Sequence, residues 1–94
     1  MEARKLLREA QAGTDEREDC IVKLTPVEPG TGIVIEIEGK SRDVFRDDVF
    51  KIFEDTLKGM GLEDVKVWSS GKSPLNFTII ARIKAAAIKG GIYE

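Results

Sequence analysis

The stretch FRDDVFKIFEDTLKGM, residues 45–60, has the clearest periodicity in the sequence. Apolar side chains recur there at spacings of three and four residues, which is typical of a helix that packs one face against a core. The apolar residues on that face are Phe45, Val49, Phe50, Ile52, Phe53, Leu57 and Met60. Gly59 and Gly61 stand at the end of the stretch, where glycine commonly stops a helix. The pattern therefore predicts a helix over residues 45–60 with one buried face.

Alternating apolar and polar residues before this helix indicate strands, because successive side chains of a strand point to opposite faces. One strand is predicted over residues 33–38, and an earlier one over residues 20–27, which Pro26 ends. Pro29 and Gly30 lie between them and suit the two central positions of a type II turn. The two strands are therefore expected to pair as an antiparallel hairpin.

The sequence after the central helix suggests a second pair of strands and another helix. Residues 65–68 alternate and predict a third strand, and residues 69–74, which are rich in Ser, Gly and Pro, predict a turn. Residues 76–83 alternate again and predict a fourth strand. A final helix is expected to begin near Arg82 and to run to the glycine pair at 90–91.

The N-terminal part of the chain is strongly charged. Residues 2–10 place Ala and Leu side chains on one helical face and predict a short helix. Gly13 interrupts that pattern, and residues 11–19 predict a mobile, acidic surface loop. All these elements together predict a single domain over residues 1–94. Its fold class is α+β: a four-stranded, mainly antiparallel sheet in ββαββα order with helices on one face, preceded by the short N-terminal helix.

The composition excludes several classes of function. The 94 residues include no histidine, which excludes Ser–His and Cys–His catalytic pairs and most zinc sites. A formal net charge of −2 disfavours nucleic-acid binding, RNA included. No apolar run approaches the roughly 18 residues of a membrane helix, and the single cysteine cannot form an internal disulfide, which favours a cytoplasmic protein. We therefore expect no catalytic residue, no metal site and no membrane, and a carrier or adaptor rather than an enzyme acting alone.

Three further features have an ordinary structural interpretation. The GKS segments at residues 39–41 and 71–73 lack the upstream glycine of a phosphate-binding loop, so turns are the better interpretation. Cys20 opens a strand on its apolar side and is interpreted as a core residue. Trp68 is left with two interpretations, contact with a partner protein or packing against the next strand.

The order of several short segments is itself informative. AQAGT at residues 10–14 is followed by a polar run to Asp19 and then by an apolar strand. Further along come IVIEI at residues 33–37 and LNFTIIAR at residues 75–82. This series, which extends over residues 10–90, resembles the acyl carrier protein, or gamma subunit, family of citrate lyase.

The resemblance implies an acyl-carrier-like domain that does no chemistry itself. Members of the family hold a phosphoribosyl-dephospho-coenzyme A group through a phosphodiester on a serine hydroxyl, and the thiol of that group carries acetyl and citryl thioesters. The implied partners are the alpha subunit, which exchanges acetyl for citrate, the beta subunit, which cleaves the citryl thioester, and the transferase that attaches the prosthetic group. Tethering raises the effective concentration of the group at both active sites.

The attachment position is where this sequence departs from the family. Counted from the Ala-Gly-Thr segment at residues 12–14, the family's modified serine falls at Arg17, whose guanidinium has no hydroxyl. Thr14 is the nearby residue that has one. The candidate cofactor-binding residues are therefore Arg17, as the family's attachment position, and Thr14, as the only nearby hydroxyl. Serine in place of Arg17 is expected to restore loading.

Three interpretations remain open on the sequence. The chain is a working carrier modified at an unexpected residue, or a carrier-family relative that cannot be loaded and serves as a structural or interaction subunit, or an unrelated small α+β binding module. Intact mass distinguishes the first two, and co-purification with two larger subunits distinguishes both from the third.

Overall fold

The computed structural model describes residues 5–39, 46–71 and 75–92, which contain four strands and two helices. In chain order these elements are β1 (Ala10–Gly13), β2 (Cys20–Pro26), β3 (Ile33–Gly39), α1 (Arg46–Gly59), β4 (Val65–Gly71) and α2 (Asn76–Lys89). The strands form one sheet in the order β1-β2-β4-β3. β2 runs antiparallel to β1 and to β4, whereas β3 runs parallel to β4.

The two ends of the sheet are defined by the register of its central strands. Cys20 lies opposite Gly71, and Pro26 lies opposite Val65. We refer to these as the Gly71 end and the Val65 end. The segment that joins β1 to β2 lies at the Gly71 end, and the segment that joins β2 to β3 lies at the Val65 end.

Both helices cover the same face of the sheet, and the core lies between them and that face. The buried sheet residues are Ala12, Cys20, Val22, Leu24, Ile37, Val65, Val67 and Ser69. Phe53 and Leu57 of α1 and Ile79 and Ile83 of α2 pack against this cluster. The predicted class is therefore confirmed: an α+β domain with a mainly antiparallel four-stranded sheet and helices on one face.

The predicted hairpin between the strands at residues 20–27 and 33–38 is wrong, although both strands are confirmed. The turn between them is also confirmed, because the Thr31 amide donates to the Glu28 carbonyl at 3.1 Å and Gly30 has a φ of 92°. β4 separates the two strands. Val65 and Val67 of β4 are fully buried, which suits a central strand, and the sequence pattern between neighbouring strands cannot reveal such an insertion.

The segments that flank β4 depart from the prediction in two ways. β4 extends to Gly71, beyond the predicted end at residue 68, and the rest of the predicted turn, residues 72–74, lies outside the described residues. The predicted fourth strand over residues 76–83 is wrong, because these residues begin α2. Ile79, Ile83, Ala86 and Ala87 are buried at helical spacing, and this continuous face overrides the short alternation.

The N-terminal segment also differs from the prediction. Residues 5–9 are not helical, and β1 begins at Ala10 where a helix was expected to end. A helix of about ten residues is marginal alone, whereas here β1 pairs with β2 and the Leu7 amide donates to the Gly90 carbonyl at 2.9 Å. The part of the predicted helix at residues 2–4 lies outside the described residues. The fourth strand of the sheet is thus β1, in a region predicted to be helix and loop. The predicted ββαββα order is therefore wrong, and the observed order is βββαβα.

The central helix, in contrast, is confirmed as α1. Val49, Phe53 and Leu57 are buried at the predicted spacing. The first residue of the predicted helix, Phe45, lies outside the described residues. In the part of the chain that the structure describes, neither helix has the length and apolar character needed to span a bilayer.

Candidate functional site

The loop of residues 14–19 joins β1 to β2 at the Gly71 end of the sheet and contains both candidate attachment residues. Its backbone is held in a specific turn: the Asp19 amide donates to the Glu16 carbonyl at 3.1 Å, and Glu18 adopts a left-handed φ of 64°. Gly13, just before the loop, has a φ of 99°, and a Cβ there would overlap the Cys20 carbonyl. The entry into the loop therefore requires glycine.

Asp19 is the acceptor that organises this loop. Its Oδ2 accepts hydrogen bonds from the Thr14 amide at 3.2 Å and from Thr14 Oγ1 at 2.7 Å. Its Oδ1 accepts from the Cys20 amide at 2.7 Å. Asp19 thus ties the first residue of the loop to the first residue of β2.

Arg82 of α2 completes the arrangement. Its Nε donates to Asp19 Oδ1 at 2.9 Å and its Nη2 donates to Asp19 Oδ2 at 3.0 Å, which is the two-pronged geometry that guanidinium and carboxylate favour. The Asp19 side chain is only 13% exposed and that of Arg82 is 38% exposed. The loop is therefore joined to a helix 63 residues further along the chain.

These contacts shift the ionisation of both partners. The hydrogen bond from Arg82 holds the pKa of Asp19 well below its ordinary value, helped by the hydrogen bonds from Thr14 and Cys20 and opposed by desolvation. The same hydrogen bond, with the charge of Asp19, raises the pKa of Arg82. Asp19 is therefore a carboxylate over the whole physiological pH range, and its role is structural rather than acid–base.

The two predicted site residues occupy different positions in the loop. Arg17 is exposed, at the position where the resemblance implies a modified serine. Thr14 is also exposed, but its hydroxyl donates to Asp19 and accepts the Glu16 amide at 3.3 Å. The structure thus joins Thr14 to Asp19, which also pairs with Arg82, and it leaves Arg17 at the surface.

Asp19 and Arg82 are the site residues that sequence reasoning missed. Two signals were present: Asp19 ends the polar run, and Arg82 closes the LNFTIIAR segment, both in the resemblance. Nothing in the spacing indicates that residues 63 positions apart form an ion pair. The contact is visible only once residues 77–83 are known to be a helix.

The interpretation of Cys20 as a core residue is confirmed, because Cys20 is only 1% exposed. Burial, together with the charge of Asp19, raises the pKa of the Cys20 thiol to about 11. A thiol in that state is a poor nucleophile. Trp68 is half-buried on the face of the sheet opposite the helices, across from Lys23 and Glu36.

A groove lies at the Val65 end, between the start of β3 and the end of α1, and Ile33, Ile35 and Leu62 line it with several glycines. Its charged residues include Glu54 and Lys58, which pair with each other at 2.6 Å. Among the described residues no cluster of His, Cys, Asp and Glu could hold a metal ion. The groove therefore presents no set of converging reactive groups, and it lies at the opposite end of the sheet from the loop.

The comparison with known families decides what kind of protein this is. An acyl carrier protein family, described as malonate decarboxylase delta subunit (MdcD), matches residues 7–89. The chain belongs to this acyl carrier protein family. Its loop of residues 14–19 lies within the matched region.

Individual proteins are similar over nearly the whole chain. The citrate lyase acyl carrier protein of Clostridium perfringens is 34% identical over 85 residues, which cover 90% of this chain and 83% of that protein. The citrate lyase acyl carrier protein of Halothermothrix orenii is 32% identical over 82 residues, covering 87% and 85% respectively. The resemblance inferred from the short segments is therefore confirmed.

The fold also matches a solved structure. A chain in the crystal structure of a Pseudomonas malonate decarboxylase hetero-tetramer in complex with malonate superposes with a TM-score of 0.77. The match covers 96% of this chain and 91% of that chain at 16% sequence identity. At such a low sequence identity, the structural similarity is evidence for a shared fold alone.

The residues of the loop do not fit the prosthetic group that the resemblance implies. A phosphodiester needs a hydroxyl, and Arg17 has none. Attachment to Thr14 would remove the proton that Thr14 Oγ1 donates to Asp19 and would place a phosphate charge against that carboxylate. Of the serines, Ser69 is buried and Ser70 is half-buried, while Ser41 and Ser73 lie outside the described residues.

Proposed function

We propose that this chain is the acyl carrier subunit of a multi-subunit complex of the citrate lyase type, in which it does no chemistry itself. The main observation in its support is that this member of an acyl carrier family exposes position 17 on a surface loop. The pairing of Asp19 with Arg82 fixes that loop to the rest of the domain. The partners are alpha and beta subunits of the citrate lyase kind, which supply the catalytic residues. The compartment is the cytoplasm.

The charges of the loop support a role in presenting position 17 to partners. Asp15, Glu16 and Glu18 are exposed on either side of Arg17. Each close pair of opposite charges in water is worth about 1 kcal/mol, so the carboxylates partly neutralise the guanidinium and still leave the loop negative. A negatively charged, conformationally fixed loop can be recognised by a positively charged entrance on a partner.

A second candidate function is favoured by Arg17 and by the bonded hydroxyl of Thr14. In this alternative the chain occupies the carrier's place in the complex without a phosphodiester-linked group in the loop and contributes structure and contacts only. In that case phosphoribosyl-dephospho-coenzyme A, the prosthetic group of the family that the sequence resembles, is not attached to any residue of the loop at 14–19.

Purification from the native host tests both candidates. A tagged full-length chain should co-elute with two larger subunits, and its intact mass should show whether a group is attached. Extra mass located by peptide mapping supports the loaded carrier, and the bare polypeptide mass supports the unloaded subunit. A chain that elutes alone in a host that makes both larger subunits contradicts both candidates.

The loop itself can be tested with a serine substitution. Arg17→Ser supplies the missing hydroxyl and should gain the mass of the prosthetic group when incubated with the family's transferase and the precursor. Arg17→Ala is the matched control, since it removes the same guanidinium without adding a hydroxyl. No mass gain on the serine variant would contradict the assignment of position 17 as the attachment position.

A further inference from the structure

β3 forms one edge of the sheet. The strand order β1-β2-β4-β3 leaves the side of β3 away from β4 without a paired strand among the described residues, and we call this side the outer edge of β3. β1, at the other edge of the sheet, has four residues, whereas β3 has seven. A long strand edge presents a row of backbone N–H and C=O groups that can pair with another extended chain. Of the two edges, β3 therefore offers the longer template for an added strand.

The register of β3 identifies the backbone groups on its outer edge. Ile33 lies beside Val65, and the Val65 amide donates to the Gly32 carbonyl at 3.2 Å. Because the backbone groups of successive strand residues point to opposite sides, every second residue from Gly32 onward directs its amide and carbonyl towards β4. The amides and carbonyls of Ile33, Ile35 and Ile37 therefore point outwards, away from β4.

The side chains of the same three isoleucines lie on the helix-facing side of β3, and the helices cover them unequally. Ile37 is buried, whereas Ile33 and Ile35 are only half-buried against the core. The groove between β3 and the end of α1 lies beside these two residues, and Leu62 also lines it. When a strand adds to a sheet edge, its alternate side chains enter pockets on one face. This groove therefore offers apolar burial to alternate side chains of a strand paired with β3.

The opposite face of β3 is acidic. Glu36 and Glu38 are exposed there, and Lys66 Nζ of β4 lies 3.5 Å from Glu36 Oε1, an exposed pair of little strength. Two copies of the chain paired through β3 would place four of these carboxylates on adjacent strands, where like charges are destabilising. Outward Lys or Arg residues on the added strand would instead face the carboxylates with opposite charge. The charges therefore disfavour a second copy and favour a strand with basic residues.

We propose that the outer edge of β3 binds an extended segment of a larger subunit of the complex as an additional strand of the sheet. The segment alternates apolar residues, which enter the groove, with Lys or Arg residues, which face Glu36 and Glu38. The proposal rests on the function proposed above and names the contact that holds the chain in its complex. The loop of residues 14–19 joins β1 to β2, and β4 separates both strands from β3, so the added strand does not use the surface of the loop.

Hydrogen exchange tests the added strand directly. The full-length, isotopically labelled chain is exchanged in deuterium oxide, both free and in the assembled complex, and is read by NMR after quenching and dissociation. In the free chain the amides of Ile33, Ile35 and Ile37 should exchange quickly and those of Val34 and Glu36 slowly, because only the latter are bonded to β4. In the complex the three isoleucine amides should exchange at least about tenfold more slowly, so that the alternation along β3 is lost.

Charge reversal provides an independent test. Tagged chain is co-expressed with the two larger subunits, and the amount of each subunit captured is measured. Glu38→Lys should reduce capture about fivefold, because it places a like charge against the basic residues of the added strand. Glu28→Lys, in the exposed turn before β3, is the matched control with the same change in net charge, and its capture should stay within about twofold of the original. The thermal midpoint of each variant confirms that it is folded.

The outcomes separate this inference from the proposed function. An alternation along β3 that persists in the complex, or equal capture by Glu38→Lys and Glu28→Lys, overturns the added strand while leaving the proposed function intact. Slow exchange of the three isoleucine amides in a dimer of the free chain would overturn it in favour of a second copy. Failure of the original chain to capture either subunit overturns the proposed function and this inference with it.

Discussion

The loops at the two ends of the sheet are organised by the same device, an aspartate placed directly before a strand. At the Val65 end Asp64 precedes β4, and its Oδ1 accepts hydrogen bonds from the amides of Gly30 and Gly32, both at 3.0 Å. At the Gly71 end Asp19 precedes β2 and accepts hydrogen bonds from Thr14 and Cys20. Each carboxylate thereby satisfies backbone donors that a loop would otherwise leave to water.

The difference between the two ends is the guanidinium of Arg82. Asp64 binds the backbone of a neighbouring turn, whereas Asp19 is also paired with a residue of α2. The turn at residues 28–32 is thus fixed to Asp64 and Val65, where β4 begins. The loop of residues 14–19 is fixed to a helix that lies far from it in the sequence. The comparison indicates that contacts with the backbone of a nearby turn hold one end of the sheet, whereas an ion pair between distant parts of the sequence holds the other.

The largest expected difference between the ends comes from their glycines. Gly13→Ala should destabilise the fold by about 3–4 kcal/mol, because a left-handed residue with a Cβ is strained and this Cβ would overlap the Cys20 carbonyl. Gly30→Ala should cost about 1 kcal/mol, since φ is also positive there but the space is open. Urea denaturation of both variants measures the difference, and equal losses would contradict it.

The aspartates should give the next largest effect. Asp19→Asn loses the charge-assisted pair with Arg82 and should cost about 2 kcal/mol. Asp64→Asn should cost about 1 kcal/mol, because the side-chain oxygen of Asn still accepts from the Gly30 and Gly32 amides but without the charge that strengthens those bonds. Limited trypsin digestion adds a local measurement, because Arg17 is a cleavage site within the loop. Cleavage after Arg17 should become faster in Asp19→Asn and stay unchanged in Asp64→Asn. Equal rates in both variants would show that the ion pair does not hold the loop.

A smaller effect should appear on acidification. Because the pKa of Asp19 is lower in the folded chain than in the unfolded chain, its contribution is fully present above the unfolded value of about 4 and is lost as the pH falls below it. The stability difference between the original chain and Asp19→Asn should therefore be constant from neutral pH to about pH 5 and should shrink below about pH 4. Urea denaturation across this range measures it. A difference that persists unchanged into strong acid would be inconsistent with an ionised, paired Asp19.

The smallest effect should be that of Arg17. Its side chain is exposed on the loop, so Arg17→Ser should change the free energy of unfolding by less than about 0.5 kcal/mol. Thermal denaturation beside Arg17→Ala checks this. A large loss would mean that the guanidinium supports the loop, and position 17 could then not be treated as free for attachment.

Local patterns in the sequence predicted the elements whose cause is local. The wide apolar face of residues 45–60 predicted α1, and the alternation at residues 33–38 predicted β3. The pattern at residues 77–83 fits a strand and a helix equally well over so short a run, and only the longer face that includes Ala86 and Ala87 decides for α2. β1 has four residues and ends in glycine, which is too little signal for a strand.

The residues of the candidate site also fall into two groups, those that the sequence could locate and those that it could not. Thr14 and position 17 could be located from the sequence, because the segment around them resembles a known family. Asp19 and Arg82 could not be paired, since their contact depends on the helical state of residues 77–83 and on the packing of α2 against β1 and β2. Residues that only the complete fold brings together show no recognisable spacing pattern in the sequence.

The most direct test of the account is native purification of the tagged chain followed by size-exclusion chromatography and intact mass. The account predicts that the chain elutes with two larger subunits of the citrate lyase kind in one complex, and that trypsin cleavage after Arg17 is suppressed there relative to the free chain. Elution of the chain by itself, at the size of a monomer and with both larger subunits present in the lysate, would contradict it.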